Sequence, residues 1–265
     1  MTILQALILG IIQGLTEFIP VSSSGHLVIM HKLLGINANG LTFDVALHIG
    51  TLIALIIFFH QDILMLTRSL IKKSEQTRLA WLLALATIPA MVAGVLLESA
   101  AENSFRSVTL VAINLLVVAF IMLAAERYFK KHKHKTSINK TSTKQAIGMG
   151  LAQAAAIVPG VSRSGATITA GLFGGMGRVA AARFSFLLGI PIILGAAIKT
   201  LSKQDGINQI SSELDIFVVG ALAACLTGLW AIKFLLGYLA KHSLNLFAYY
   251  RIMLALFMLL SLAIF

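Results

Sequence analysis

Charge is scarce in this chain: Asp, Glu, Lys and Arg make up 12% of its 265 residues, whereas an ordinary soluble domain carries about a quarter. That excludes a water-soluble globule. Acid is scarcer still, with 10 Asp and Glu against 21 Lys and Arg, and Glu17 is the sole acid before Asp44. One cysteine, Cys225, sits inside an apolar run, which excludes intrachain disulfides and cysteine metal sites and leaves redox chemistry without a basis. No stretch shows the alternation of an outer-membrane barrel. The opening MTILQALILG lacks the basic start and cleavage site of a signal peptide and is expected to be mature sequence. The glycines at Gly171, Gly174, Gly175 and Gly177 lack the Lys-Ser/Thr pair of a nucleotide-binding P-loop and read as packing and turn positions.

What is abundant is apolar surface, 58% of residues, with a mean hydropathy of +0.91. The expectation is an all-α integral membrane protein. Six segments are long and apolar enough to cross a bilayer: 43–60, 79–97, 108–125, 179–201, 214–236 and 244–265. The net charge of +11 does not point to nucleic acid, because most of the basic residues fall in short loops, where lipid headgroups and topology account for them.

Residues 6–25 and 146–165 form an internal repeat with seven identical positions, including Gly10/Gly150, Gln13/Gln153, Ser22/Ser162, Ser24/Ser164 and Gly25/Gly165. In each copy a short apolar run is broken by a polar, glycine-bearing turn. Irregular backbone at membrane depth is tolerated only inside protein or beside a wet cavity, so the copies are predicted to be two re-entrant helical hairpins. Three spans follow each, an odd number, so the second half should lie upside down: an inverted-topology repeat. The division is 1–126 for the first repeat, 127–144 for a basic cytoplasmic linker and 145–265 for the second repeat.

With that topology one face carries Arg68, Lys72, Lys73, Arg78, Arg127, Lys130, Lys131, Lys133, Lys135, Lys140, Lys144, Arg178 and Lys241, and the other only Lys32, Arg106 and Lys203. The richer face is expected to be cytoplasmic, which puts both termini and the opening of the first hairpin outside.

The repeats differ where chemistry would need them to, with Glu17 facing Ile157, Ser23 facing Arg163 and His26 facing Ala166. Gln13 and Glu17 share one helix face. A carboxylate embedded in a membrane is a functional candidate by default, with a cation or internal partner expected beside it. Ser22, Ser23 and Ser24 precede Gly25 and His26; serines at a helix start cap it, and they also offer donors to phosphate oxygens. His26 beside them is a candidate general acid/base or nucleophile. The second turn offers Ser162, Arg163, Ser164 and Thr167, and the planar fork of Arg163 suits an anion. His48, Asp44, Asn114, Arg183 and Arg251 lie at or within span ends and read as snorkelling or helix-contact residues, with Asp44 and Arg183 each within reach of a supporting role.

At these segments the chain closely resembles the undecaprenyl-diphosphate phosphatase family of the bacitracin-resistance type. Gln13-Gly-Leu-Thr-Glu17 and Pro20-Val-Ser-Ser-Ser-Gly-His26 match its first motif, and Pro159-Gly-Val-Ser-Arg-Ser-Gly-Ala-Thr167 its second. The likeness runs on through Phe184-Ser-Phe-Leu-Leu188 to the overall length. The resemblance implies a bacterial plasma-membrane enzyme that removes the terminal phosphate of undecaprenyl diphosphate, yielding the carrier lipid for peptidoglycan, with a site open to the outer face and a divalent cation requirement. Many members carry glutamate where this chain has Gln13, which leaves Glu17 and the Gln13 carbonyl oxygen to hold Mg²⁺ or Ca²⁺.

The expected mechanism has Arg163 and the hydroxyls of Ser22, Ser24, Ser162, Ser164 and Thr167 clamping the diphosphate, with Ser23 or His26 attacking and the other moving the proton. The polyprenyl tail would lie in an apolar groove among membrane lipids, and the reading admits a homodimer. The rival is a transporter or flippase of a polyprenyl phosphate, since inverted repeats with broken helices are also the architecture of alternating access.

Overall fold

The computed structural model describes residues 1–36, 40–97, 107–131, 136–202 and 212–264. Arg106, Lys133, Lys135 and Lys203 of the charge comparison lie outside the described residues. Among those described, the chain forms eleven α-helices, one 3₁₀ turn at Ile138–Lys140 and a single isolated β-bridge.

Two short pairs hold the repeat. In the first, α1 (Ile3–Phe18) is followed by α2 (Ser23–Leu33). At about 1.5 Å per residue α1 reaches only about 24 Å, short of the hydrocarbon thickness. Between the pairs run α3 (Gly40–Phe58), α4 (His60–Ile71), α5 (Thr77–Leu96) and α6 (Val108–Lys131). The second pair is α7 (Thr143–Ala155) and α8 (Arg163–Phe173), followed by α9 (Arg178–Leu201), α10 (Leu214–Lys241) and α11 (Asn245–Ile264).

Each pair is built by the same local chemistry. A capping box starts it: Thr2 Oγ accepts from the Gln5 N–H and Gln5 Oε1 from the Thr2 N–H, and Ser142 and Gln145 repeat both bonds. The same glutamine then donates its amide to the far end of the pair, Gln5 Nε2 to Leu34 O at 3.2 Å and Gln145 Nε2 to Gly174 O at 2.7 Å. Each pair therefore begins and ends in one place.

At the elbow, Ser22 and Ser162 cap the returning helix at φ 74° and 71°, the only positive φ values of non-glycine residues among those described. Their hydroxyls accept from the N–H of Gly25 at 3.3 Å and Gly165 at 3.1 Å. Such a backbone costs on the order of 1–3 kcal/mol per residue and persists because surrounding bonds fix it.

The halves exchange partners. Helix α1 packs on α10 and α7 on α5, while α3 meets both α9 and α10 and α6 meets α11. Both first helices use a repeat glycine for this approach: a Cβ on Gly10 would strike the Gly220 carbonyl, and one on Gly150 the Ala86 carbonyl. In lipid, close packing of small residues replaces hydrophobic exclusion as the force between helices. The outward faces are correspondingly apolar, with Trp81, Val95, Leu226 and Met253 exposed.

Among the described residues four helices, α5, α6, α9 and α10, are long and apolar enough to cross a membrane. Ile3–Phe18 and Asn245–Ser261 are shorter apolar helices. The expected span at 43–60 differs from the structure: the chain turns by 74° at Phe59 and continues as α4, so only the bent pair passes as a crossing. Its second arm begins with His60, Gln61 and Asp62, and Asp62 pairs with Arg183 on α9 at 2.7 Å, which draws the polar turn toward protein.

On either side of residues 132–135, which lie outside the described residues, the 127–144 linker makes contacts with the fold. Helix α6 continues to Lys131, and Thr136 bonds Gly175 O at 2.9 Å and receives the Gly177 N–H at 3.0 Å. Arg178 makes a two-point bond to buried Glu126 at 2.8 and 2.6 Å, so this arginine is structural as well as part of the basic face.

Candidate active site

The exchange of helices brings the two elbows together. Glu17, in the last turn of α1, has its Oε1 bonded by Arg163 Nη2 at 2.6 Å, although the two residues are 146 positions apart. Its Oε2 accepts from Ser23 Oγ at 2.6 Å and from Gln13 Nε2 at 3.1 Å. Charge-assisted bonds of this length are strong, and the carboxylate is only 6% exposed. The expected Gln13–Glu17 face, the Ser23 hydroxyl and the Arg163 fork thus converge at one point.

Around that point lies a cavity of about 350 Å³ whose wall includes Glu17, Ser23, Ser24, Ser162 and Arg163. Its remaining lining is mostly apolar, from Val45, Ala90, Ile157, Ile192, Ile193, Ala196 and Ala197. One guanidinium nitrogen, Arg163 Nη1, is buried with no hydrogen-bond partner. A buried free donor beside a serine hydroxyl and an apolar wall is suited to an anionic group carried on a lipid.

The other expected residues serve the elbows. Ser24 Oγ accepts the Gly160 N–H at 3.3 Å and lies 3.2 Å from Ser22 Oγ, joining the first turn to the second. Ser164 Oγ donates to the Glu17 carbonyl at 3.2 Å and so ties the second turn back to the first. Ser162 Oγ lies 3.3 Å from Ser164 Oγ while capping α8. Thr167 bonds the Arg163 carbonyl at 2.7 Å and the Ser185 hydroxyl, which anchors the arginine's backbone and does not face the cavity.

His26 is also turned away from the cavity lining. Its Nδ1–H donates to the Ser22 carbonyl at 2.8 Å, and in the neutral ring Nε2 accepts from the Tyr250 hydroxyl at 2.7 Å. The rings stack at 5.7 Å. This histidine steadies the serine turn.

Four residues gain a role that sequence reasoning did not give them. His48 lines the cavity with Nε2 3.6 Å from Glu17 Oε2, while its Nδ1–H donates to the Asp44 carbonyl at 2.7 Å. Gln153 lines it too; its identity with Gln13 marked the repeat but carried no role of its own. Gly189 leaves the space that the Arg163 guanidinium fills. Arg251, fully buried, donates to Gly160 O at 2.8 Å, Val161 O at 3.2 Å and Pro20 O at 3.5 Å, binding both elbows at once. Carbonyl acceptors have no side-chain signature, which is why a span-end arginine looked ordinary. Asn114 adds a bond to Pro159 O at 2.9 Å. Asp44 pairs with His31 at 3.2 Å and Arg183 with Asp62, neither at the cavity.

Fold and site together define a helical multi-pass membrane protein with a cavity, walled by serines, an arginine and apolar side chains, between two broken-helix elbows. The family model for bacitracin resistance protein BacA matches residues 6–257. The chain belongs to that family. Relatives named undecaprenyl-diphosphatase include those of Rubrobacter xylanophilus, 45% identical over 263 residues with 96% of each chain covered, and Moorella thermoacetica, 46% identical over 257 residues with the same coverage. A third, from Chloroherpeton thalassium, is 42% identical over 276 residues, covering 99% of this chain and 98% of its own.

Proposed function

We propose that the protein hydrolyses undecaprenyl diphosphate to undecaprenyl phosphate and inorganic phosphate in the cavity between the elbows. The single observation that carries this reading is the Glu17 carboxylate held by Arg163 and Ser23 at 2.6 Å each, at a cavity with an apolar wall. Family membership over nearly the whole chain and the name shared by the relatives support it.

Arg163 Nη1 and the Ser24 hydroxyl receive the diphosphate oxygens, and the first isoprene units lie along Ile192, Ile193, Ala196 and Ala197. Ser23 Oγ attacks the terminal phosphorus as Glu17 accepts its proton, and the bond from that phosphorus to the bridging oxygen breaks. Undecaprenyl phosphate leaves. The proton on Glu17 passes to solvent. Glu17 then deprotonates a water that attacks the phosphoserine phosphorus, the bond from phosphorus to Ser23 Oγ breaks, and Oγ regains its proton from Glu17 as inorganic phosphate leaves. Catalysis in such transfers comes chiefly from positioning and charge neutralisation.

A divalent cation fits the donors present. Gln13 Oε1 is buried and unpartnered on the residue whose amide nitrogen bonds Glu17. An oxygen-only set of that kind suits Mg²⁺ or Ca²⁺, completed by water and substrate oxygens. Glu17 and Gln13 would hold it, and it would neutralise charge on the diphosphate.

The finer architecture belongs to the same proposal: two re-entrant hairpins and six spans in an inverted repeat, divided at 127–144. The Gln5–Leu34 and Gln145–Gly174 bonds support re-entry, because each pair starts and ends together. The basic loops support a cytoplasmic face opposite a cavity open to the outside of the bacterial plasma membrane.

The test is phosphate release from undecaprenyl diphosphate by purified protein in detergent, with and without Mg²⁺ or Ca²⁺. Hydrolysis is expected from the wild type and none from Arg163→Met. A flippase alone would release no phosphate, because detergent leaves no second compartment.

A further inference from the structure

Gln153 lies on α7, is 2% exposed, and lines the same cavity as Glu17, Ser23 and Arg163. Both its Nε2 and Oε1 lack a hydrogen-bond partner, so exchanging the amide's two ends relieves nothing. Leaving a buried amide unsatisfied is costly, and this one belongs to a residue of the cavity wall.

The repeat explains how it came to be free. Its counterpart Gln13 donates to Glu17, four residues on. The counterpart of Glu17 is Ile157, which offers nothing to accept, so the second half retains the amide and lacks its partner. Arg163, also in the cavity wall, carries a second orphan, the cationic donor Nη1, which rests against Gly189. Two unpartnered donors in one cavity call for an acceptor with more than one oxygen.

We infer that Gln153 is a substrate-binding residue whose amide N–H donates to a non-bridging oxygen of the diphosphate, alongside Arg163 Nη1. The inference rests on the phosphatase reading above and adds a contact from the second first-helix, opposite the nucleophile. It makes the site two-sided: α1 and α2 supply the acceptor of the proton and the attacking hydroxyl, while α7 and α8 grip the anion.

The experiment compares wild type, Gln153→Leu and Gln153→Glu, purified in detergent, for phosphate release from undecaprenyl diphosphate and for thermal midpoint. Gln153→Leu is expected to raise KM about 10- to 100-fold, as loss of a bond to a charged group does, with kcat within about threefold. Its thermal midpoint should stay equal or rise, because an unsatisfied amide is replaced by an apolar chain; a scaffold residue would move it down. Gln153→Glu keeps the shape and places a negative charge against the anion, so KM should rise at least as far.

A leucine variant with KM within twofold of wild type overturns the inference. If that variant does not fold, a glutamate variant with unchanged KM overturns it equally. Inactive wild-type protein would instead defeat the phosphatase reading, so the two failures are told apart by the control.

Discussion

The Arg163 guanidinium occupies the space in which a side chain on Gly189 would begin. Gly189 lies within α9, where alanine would ordinarily favour the helix by about 1 kcal/mol. Here the added methyl must displace the arginine from Glu17. Gly189→Ala is therefore expected to lower phosphate release at least about tenfold and to depress the thermal midpoint, against the direction of helix propensity. Activity equal to wild type would show that the guanidinium has another place to lie.

Glu17 accepts from Arg163, Ser23 and Gln13. Replacing it with glutamine keeps the shape, removes the proton acceptor and leaves Arg163 as a buried unpaired charge. Glu17→Gln should lower kcat by about 10²–10⁴ and cost about 3–5 kcal/mol of stability. Adding Arg163→Met should restore much of the stability and none of the activity, as read by thermal melts beside phosphate assays.

Ser23 faces the cavity, whereas His26 is bonded to the Ser22 carbonyl and the Tyr250 hydroxyl. Ser23→Ala is expected to abolish turnover. His26→Ala and Tyr250→Phe should lower it partially, by loosening the serine turn. Near-normal phosphate release from Ser23→Ala together with none from His26→Ala would transfer the nucleophile's role to the histidine.

Arg251 satisfies carbonyls of both elbows, at Pro20, Gly160 and Val161, and those of Leu115 and Asn114 at 3.3 and 3.4 Å. Arg251→Leu leaves these acceptors dry, at about 1–3 kcal/mol for each one that finds no substitute. The expected result is a loss of several kcal/mol, with a fall in thermal midpoint and in activity. Arg251→Lys, with donors on one nitrogen, should fall between.

Much of this site was legible before any coordinates. The repeated Ser-x-Ser-Gly turns mark both capped elbows, and the unequal positions Glu17, Ser23 and Arg163 are the ones that meet between them. Four of the expected spans, 79–97, 108–125, 179–201 and 214–236, coincide with helices long and apolar enough to cross, because an apolar run of that length in a bilayer satisfies its backbone as a helix. The bend at Phe59 is not legible, since the polar His60, Gln61 and Asp62 that follow it read as the end of a span and Asp62 finds its partner on the distant α9. Gln5 and Gln145 were passed over although they occupy equivalent positions, because a glutamine's bond to the carbonyl of Leu34 or Gly174 leaves no mark on the acceptor's side chain. The roles of His48, Gly189 and Arg251 were hidden for a related reason: each depends on a helix distant in number.

The sequence by itself determined the solvent this chain lives in, the helices it forms and the two polar turns that break them, because burial, capping and backbone satisfaction act over neighbouring residues. Only the tertiary structure decided that the turns meet. The crossing of α1 onto α10 and α7 onto α5 puts an acid from one half against an arginine from the other. That decision rests on close contact between small residues such as Gly10 and Gly220, whose effect depends on shape complementarity across the whole assembled bundle.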